Sequence, residues 1–379
     1  MPSASTVAAC TVLLAAASAQ QTKLKIFLLA GQSNMEGHAE VATINATSGY
    51  YYNGTLAYQL HDPRTAALFA PLWDNATANW TVLSNVKVWF NENAETQGIN
   101  GSVIPSGSGD ASFGSLTVGY GCGADRNLIG PELGFGFGMS SLLPGETFLI
   151  MKAAWGGKSL AGDFRPPSSV ASFDPFCQGN CPNVVGHYYS VMVADVHKML
   201  ATGAVAAMFP ELAGLTPVLG GFGWSQGYND GCDLNATAAY EQNLVNLVRD
   251  LRAEFGNPDL PVSISVAGFD GFNGAEGARH PKLATDWVDA SPADKIGTEC
   301  LPIDHGCRRL DIALSQLAAA NATRHPGLGH IAAMETRGFW RDAMYSPNQR
   351  EGYHYFHNAE TYFLSGLAMA QGMARAMQE

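Results

Sequence analysis

Residues 25–38 read KIFLLAGQSNMEGH, an apolar strand-like run that ends in the uncharged cluster Gly31-Gln32-Ser33-Asn34-Met35. A serine at such a junction can be a nucleophile, provided that a base removes its proton. It can equally be the N-cap of the next helix, its oxygen accepting from the first turn. Histidine is the usual base near neutral pH, and His354 lies in Glu351-Gly352-Tyr353-His354-Tyr355-Phe356-His357 near the far end of the chain. A carboxylate three residues before it, Glu351, can orient the ring through Nδ1 and leave Nε2 for the serine. The plainer reading of His354 is a surface loop residue. His354 and His357 also suit a metal, but no third ligand stands at helical spacing, and no metal is expected.

Acyl transfer further needs donors for an oxyanion, and two more clusters supply candidates. Gly156-Gly157 follows a strand-like run, where the lack of a Cβ lets backbone N–H groups approach closely. Gln226 and Asn229 offer side-chain amides after the next strand; Asn229, followed by Asp230 and Gly231, also reads as an Asx-turn residue. Gly134, Gly136 and Gly138 lack phosphate-loop spacing and sit in a helix-like run, so close helix packing explains them better.

The elements that would position these residues alternate between strand and helix, as in a parallel α/β sheet. Strands are expected at 24–30, 86–90, 147–153, 217–223, 262–267 and 330–334, and helices from Pro131 and at 188–200, 236–255, 309–319 and 359–377. Ligands of an open parallel sheet bind beyond the carboxyl ends of its strands, which is where the clusters at 31–34, 155–159 and 224–230 fall. Residues 39–120 and 269–307 interrupt the alternation and read as insertions on a single domain spanning 20–379.

With 46% hydrophobic and 14% charged residues the chain is globular rather than disordered. A net charge of −12 without a basic patch speaks against nucleic acid as a partner. Residues 1–19 have the apolar run and the small-x-small site of a secretory signal, although Lys and Arg are missing from its start. No later run is long and apolar enough for a membrane span. Export is also the expectation from sequons at Asn45, Asn53, Asn75, Asn79, Asn100, Asn235 and Asn321, and from the even set Cys122, Cys177, Cys181, Cys232, Cys300 and Cys307. Cys177/Cys181 and Cys300/Cys307 can close short loops, leaving Cys122 with Cys232 among the possible connectivities.

Six blocks occur in order: Gly31-Gln32-Ser33-Asn34-Met35, Gly130-Pro131-Glu132, Ala154-Trp155-Gly156-Gly157-Lys158-Ser159, Trp224-x-Gln226-Gly227-x-Asn229-Asp230, Thr336-Arg337-x-Phe339-Trp340-Arg341, and Gly352-Tyr353-His354 with Asn358-Ala359-Glu360-Thr361-Tyr362. The set resembles the sialate O-acetylesterase domain of the SGNH hydrolase superfamily, close to carbohydrate esterase family six. That resemblance implies a flavodoxin-like three-layer α/β/α sandwich and a carbohydrate-ester hydrolase. It puts Ser33 in the nucleophile's position, His354 in the base's, and Ser33, Gly157, Gln226 and Asn229 in the oxyanion positions. Two departures matter. Tyr228 stands where many members have glutamate, and Glu351 where superfamily members often have aspartate, so the acid is either Glu351 or Asp230. The expected protein is a secreted, glycosylated serine esterase that removes O-acetyl groups from a carbohydrate without a cofactor, with Trp155, Trp224, Tyr228 and Tyr353 as a sugar-stacking rim or, for half of them, core packing. The alternative is a carbohydrate-binding protein without turnover.

Overall fold

The computed structural model describes residues 21–91, 112–169, 185–272 and 308–379, with the backbone of 96–97 and 103–104. Seven strands form the main sheet: β1 (Lys23–Gly31), β2 (Leu83–Phe90), β3 (Ser112–Leu116), β4 (Phe148–Ala154), β5 (Thr216–Ser225), β6 (Val262–Ser265) and β7 (Ile331–Met334). Their order is β7-β6-β5-β1-β4-β2-β3, and every pair is parallel except β2 with β3. β1 is central and buried on both faces from Ile26 to Gly31, which explains its unbroken apolar run.

All six expected strands form. The seventh, β3, was hidden in a segment read as an insertion, because an edge strand of sequence SFGSL has neither alternation nor a long apolar run. β5 also runs two residues past its expected end, which moves Trp224 and Ser225 into the sheet.

Helices cover both faces: α1 (Ser33–Glu36), α2 (Pro131–Leu142), α3 (His187–Leu200), α4 (Leu234–Glu254), α5 (Arg309–Ala319) and α6 (Ala359–Ala376). Asp233 caps α4 by accepting from Ala236 N, and Asn358 caps α6 by accepting from Thr361 N. α2 and α6 meet at backbone distance: a Cβ on Gly134 would lie 2.0 Å from Phe363 O, and one on Gly366 2.0 Å from Pro131 O. The glycines at 134, 136 and 138 therefore serve packing, as their spacing indicated.

Cys232 is disulfide-bonded, while Cys122 keeps its sulfur as a thiol, so these two are not joined and the partner of Cys232 lies outside the described residues. Cys177, Cys181, Cys300 and Cys307, with the signal-like 1–19 and most of the 269–307 segment, lie outside them as well. No described helix is long and apolar enough to cross a membrane. Of the sequon asparagines described, Asn53, Asn75, Asn79, Asn235 and Asn321 are exposed and Asn45 is half-buried.

Candidate active site

Three loops converge beyond the carboxyl ends of β1, β4 and β5. The first begins at Gly31, whose φ of +155° leaves its hydrogen against β5: a Cβ there would lie 2.0 Å from Ser225 O. The N-cap of α1 is Gln32, not Ser33, and no side chain caps it. Ser33 is the first helical residue, 6% exposed, so the capping explanation of this serine falls away.

Gln32 is the hub of the site. Its Oε1 accepts from Gly227 N (3.1 Å), Asn229 N (3.3 Å) and Gln226 Nε2 (3.2 Å), and its Nε2 donates to Asn229 Oδ1 at 2.9 Å. One amide thus fixes the third loop against the first. Gln226 is a second tie. Its Nε2 faces Gln32 Oε1, Lys158 O (3.1 Å) and Asp230 Oδ2 (2.6 Å), and its Oε1 accepts from Tyr240 OH at 2.9 Å. With three acceptors for two hydrogens, this buried amide has none for an oxyanion, which corrects the expected role of Gln226. Asn229 donates one amide hydrogen to Gly157 O at 2.8 Å, so at most one of its hydrogens can serve an oxyanion. Gly156 and Gly157 are exposed, and Gly157 has φ +70°.

The two candidate acids separate cleanly. Asp230 is fully buried and accepts from Leu160 N (2.8 Å), Ala161 N (2.8 Å) and Gln226 Nε2. Burial pushes its carboxyl up to about 6. It holds the 157–161 loop and does not touch His354. Glu351 does: its Oε2 lies 3.1 Å from His354 Nδ1. Asp230 as the partner of the imidazole is thereby corrected, and the carboxylate three residues upstream takes that place.

Glu351 Oε2 also lies 2.8 Å from His357 Nε2, and His357 Nδ1 is 3.1 Å from Glu40 Oε1. Burial alone would lower His357, but these two carboxylates raise it to about 9, making it a cation at neutral pH. Burial lowers His354, with Glu351 opposing and the His357 charge adding to the fall. Hydrogen bonds from both imidazoles hold Glu351 well below the usual carboxylate range. The third imidazole missing at helical spacing comes from elsewhere: His38 stacks on His354 with centroids 3.7 Å apart and planes within 7°. Burial lowers His38 to about 2, so it is neutral.

A strained turn builds this cluster. Tyr355, Phe356 and His357 all have positive φ, 50°, 52° and 60°. Such geometry costs an L-residue about 1–2 kcal/mol each, and packing opposes that cost: Tyr355 stacks on Phe269 at 4.7 Å, and Phe356 meets Trp340 at 5.3 Å. Trp340 is steadied by its neighbour Arg341, which forks onto Glu360 at 2.6 and 2.8 Å.

Ser33 Oγ is not hydrogen-bonded to His354, but adjacent residues tie their loops together. Asn34 Nδ2 donates to Tyr353 O at 2.9 Å, and Asn34 Oδ1 accepts from Tyr362 OH at 2.6 Å. That hydroxyl also lies 3.3 Å from His354 O. Below α1, the ammonium of fully buried Lys152 pairs with Glu132 at 2.9 Å and donates to Glu36 O and Tyr120 O. A charged group at the heart of an apolar strand therefore fixes the end of the serine helix.

The expected sugar-stacking rim mostly dissolves into the core. Trp224 is fully buried and donates to Tyr240 OH at 3.2 Å. Trp155, 5% exposed, packs on Phe164 and Tyr188. Tyr228, also 5% exposed, packs on Phe269 beneath the Arg309 guanidinium. Tyr353 alone of the four is half-buried, its ring 4.4 Å from His354.

No curated protein matches the chain. Among solved structures it is similar to one from Arabidopsis thaliana at 13% identity and TM-score 0.48, covering 92% of this chain and 97% of that one. A carbohydrate acetylesterase from Xanthomonas citri shares 13% identity over 81% of this chain and 58% of that one, with TM-score 0.33. NanS shares 12% over 72% and 76%, with TM-score 0.37. The family model that describes carbohydrate esterases, sialic acid-specific acetylesterase, matches residues 23–276, about two thirds of the sequence, and the chain belongs to that family.

Proposed function

We propose that this carbohydrate esterase is a secreted serine enzyme that removes O-acetyl groups from its substrate, with Ser33 as nucleophile, His354 as base and Glu351 as the acid that orients it. The observation carrying this reading is the pairing of His354 Nδ1 with Glu351 on a loop that Asn34 ties to the serine turn. Nδ1 faces the carboxylate, so Nε2 is the nitrogen left for the serine proton. Transfer requires the Ser33 hydroxyl and Nε2 to close to hydrogen-bond range when substrate binds. The alkoxide attacks the acetyl carbonyl, and the Ser33 and Gly157 N–H groups with the Asn229 amide hold the oxyanion. His354 then gives its proton to the departing sugar oxygen as the ester C–O bond breaks, releasing the sugar hydroxyl, and water activated by the same imidazole releases acetate from the acyl-enzyme. Secretion is supported by the 1–19 segment and the sequons.

Hydrolysis of 4-nitrophenyl acetate by the mature chain, lost in Ser33→Ala and in His354→Ala, is the expected result. Equal rates in wild type and Ser33→Ala would overturn the nucleophile assignment and favour a carbohydrate-binding protein without turnover. Acetate release from acetylated sialosides, acetylated xylan and pectin would identify the sugar.

A further inference from the structure

We propose that Glu36, His38 and Cys122 form a zinc-class divalent metal site beside the serine, and that its occupancy inhibits the esterase; the inhibition, though not the binding, rests on the function proposed above. A carboxylate oxygen, an imidazole nitrogen and a thiol sulfur from these three residues all lie within 4.8 Å of one another. The set is O, N and S, the donor types that zinc takes. Nε2 of His38 is buried with no hydrogen-bond partner, an unmet polar atom that a ligand would satisfy. The backbone that carries the donors is pinned: Cys122 N donates to Gly37 O at 2.7 Å, and Lys152 Nζ holds Glu36 O. A tetrahedral ion with bonds of about 2.0–2.3 Å needs its donors about 3.5 Å apart, so side-chain rotations of about 1 Å complete the site. Water takes the fourth position.

A second trio, His38, His354 and His357, also has its nitrogens within 4.8 Å, but its chemistry is poorer. His38 and His354 are stacked nearly parallel, so their in-plane lone pairs run side by side instead of converging. Both nitrogens of His357 already face carboxylates.

On binding, the Cys122 S–H bond breaks, the sulfur's electron pair goes to the metal and the proton leaves to solvent; no redox change is involved. The ion would hold Glu36, whose Oε2 would lie 3.3 Å from a Cβ on Gly156, a position itself 4.0 Å from Ser33 Cβ. It would also hold His38 against the ring of His354 and place positive charge beside the base. Zinc should therefore suppress turnover.

The test uses the full mature chain freed of metal with EDTA and titrated with Co2+ and Zn2+. Cobalt should give a thiolate-to-metal charge-transfer band that is absent in Cys122→Ser and weakened by about ten-fold or more in affinity in Glu36→Gln. Zinc should inhibit 4-nitrophenyl acetate hydrolysis reversibly, and Cys122→Ser should keep the basal rate but lose the inhibition. The band should persist in His354→Ala; cobalt that binds wild type without this band and loses affinity in His354→Ala would place the ion at the three imidazoles and overturn the assignment. Absence of the band in wild type, or equal zinc affinity in Cys122→Ser, would overturn it as well. A normal band in a protein that hydrolyses no ester would support the metal site while refuting the esterase.

Discussion

Replacing His357 with glutamine tests the claim that a cation, not a neutral ring, holds Glu351 beside His354. In the folded protein the Glu351 and Glu40 carboxylates lift His357 from 6.5 to about 9. That rise corresponds to about 3 kcal/mol; with the Glu351 side chain 34% exposed, solvent screening reduces this to about 2 kcal/mol. Because the folded value is the higher one, this stability is fully present below pH 6.5 and is lost as the pH rises through about 9. His357→Gln in metal-free buffer should therefore be less stable than wild type by about 2 kcal/mol at pH 6, with the gap closing by pH 9.5 in urea melts. The same change alters the rate profile. The His357 charge lowers His354, so its removal should move the acid limb of kcat/KM to higher pH. A stability gap that is the same at pH 6 and pH 9.5, or an acid limb that stays in place, would refute the cation.

Lys152→Met removes the partner of a fully buried carboxylate, Glu132, and should cost about 3–5 kcal/mol in urea melts; Lys152→Met combined with Glu132→Leu should recover much of that loss. Gly31→Ala places a methyl 2.0 Å from Ser225 O and should separate β1 from β5 at the serine turn, seen as loss of esterase activity and a lower Tm. Asn34→Ala unties the serine turn from the histidine loop and leaves Tyr362 OH without its 2.6 Å acceptor, so kcat should fall with KM little changed and stability should drop by about 1–3 kcal/mol.

The sheet was legible because fully buried parallel strands are written as short apolar runs between turn residues. That signal found β1, β2, β4, β5, β6 and β7, and it failed for β3, an edge strand exposed enough to tolerate serine and glycine. It also misplaced the end of β5: tryptophan and serine read as loop chemistry, yet Trp224 points into the core and Ser225 still pairs with Gly31. The nearness of the serine turn to the His354 loop could be expected because both fall at the carboxyl edge of one sheet. The division of labour among the polar residues could not. Gln226 and Asn229 share a block, and only their partners show that Gln226 ties Gln32, Lys158 and Asp230 together while Asn229 bonds across to Gly157.

Charged and imidazole residues made the largest difference. Lys152 lies inside β4 and reads as a flaw in an apolar run; its meaning depends on Glu132, twenty residues away in sequence. Glu40 and His357 are separated by 317 residues, and nothing local links them. Yet the strain at Tyr355–His357 follows from that link. An extended path through these residues would point successive side chains to opposite sides, whereas the left-handed turn puts His354 and His357 on the same carboxylate. Three positive φ values are tolerable here because aromatic packing holds the turn from beneath and the paired charges hold it from above. Loss of the His357 cation should therefore loosen the turn as well as Glu351, which makes the pH dependence of stability a more direct reading of this arrangement than activity alone.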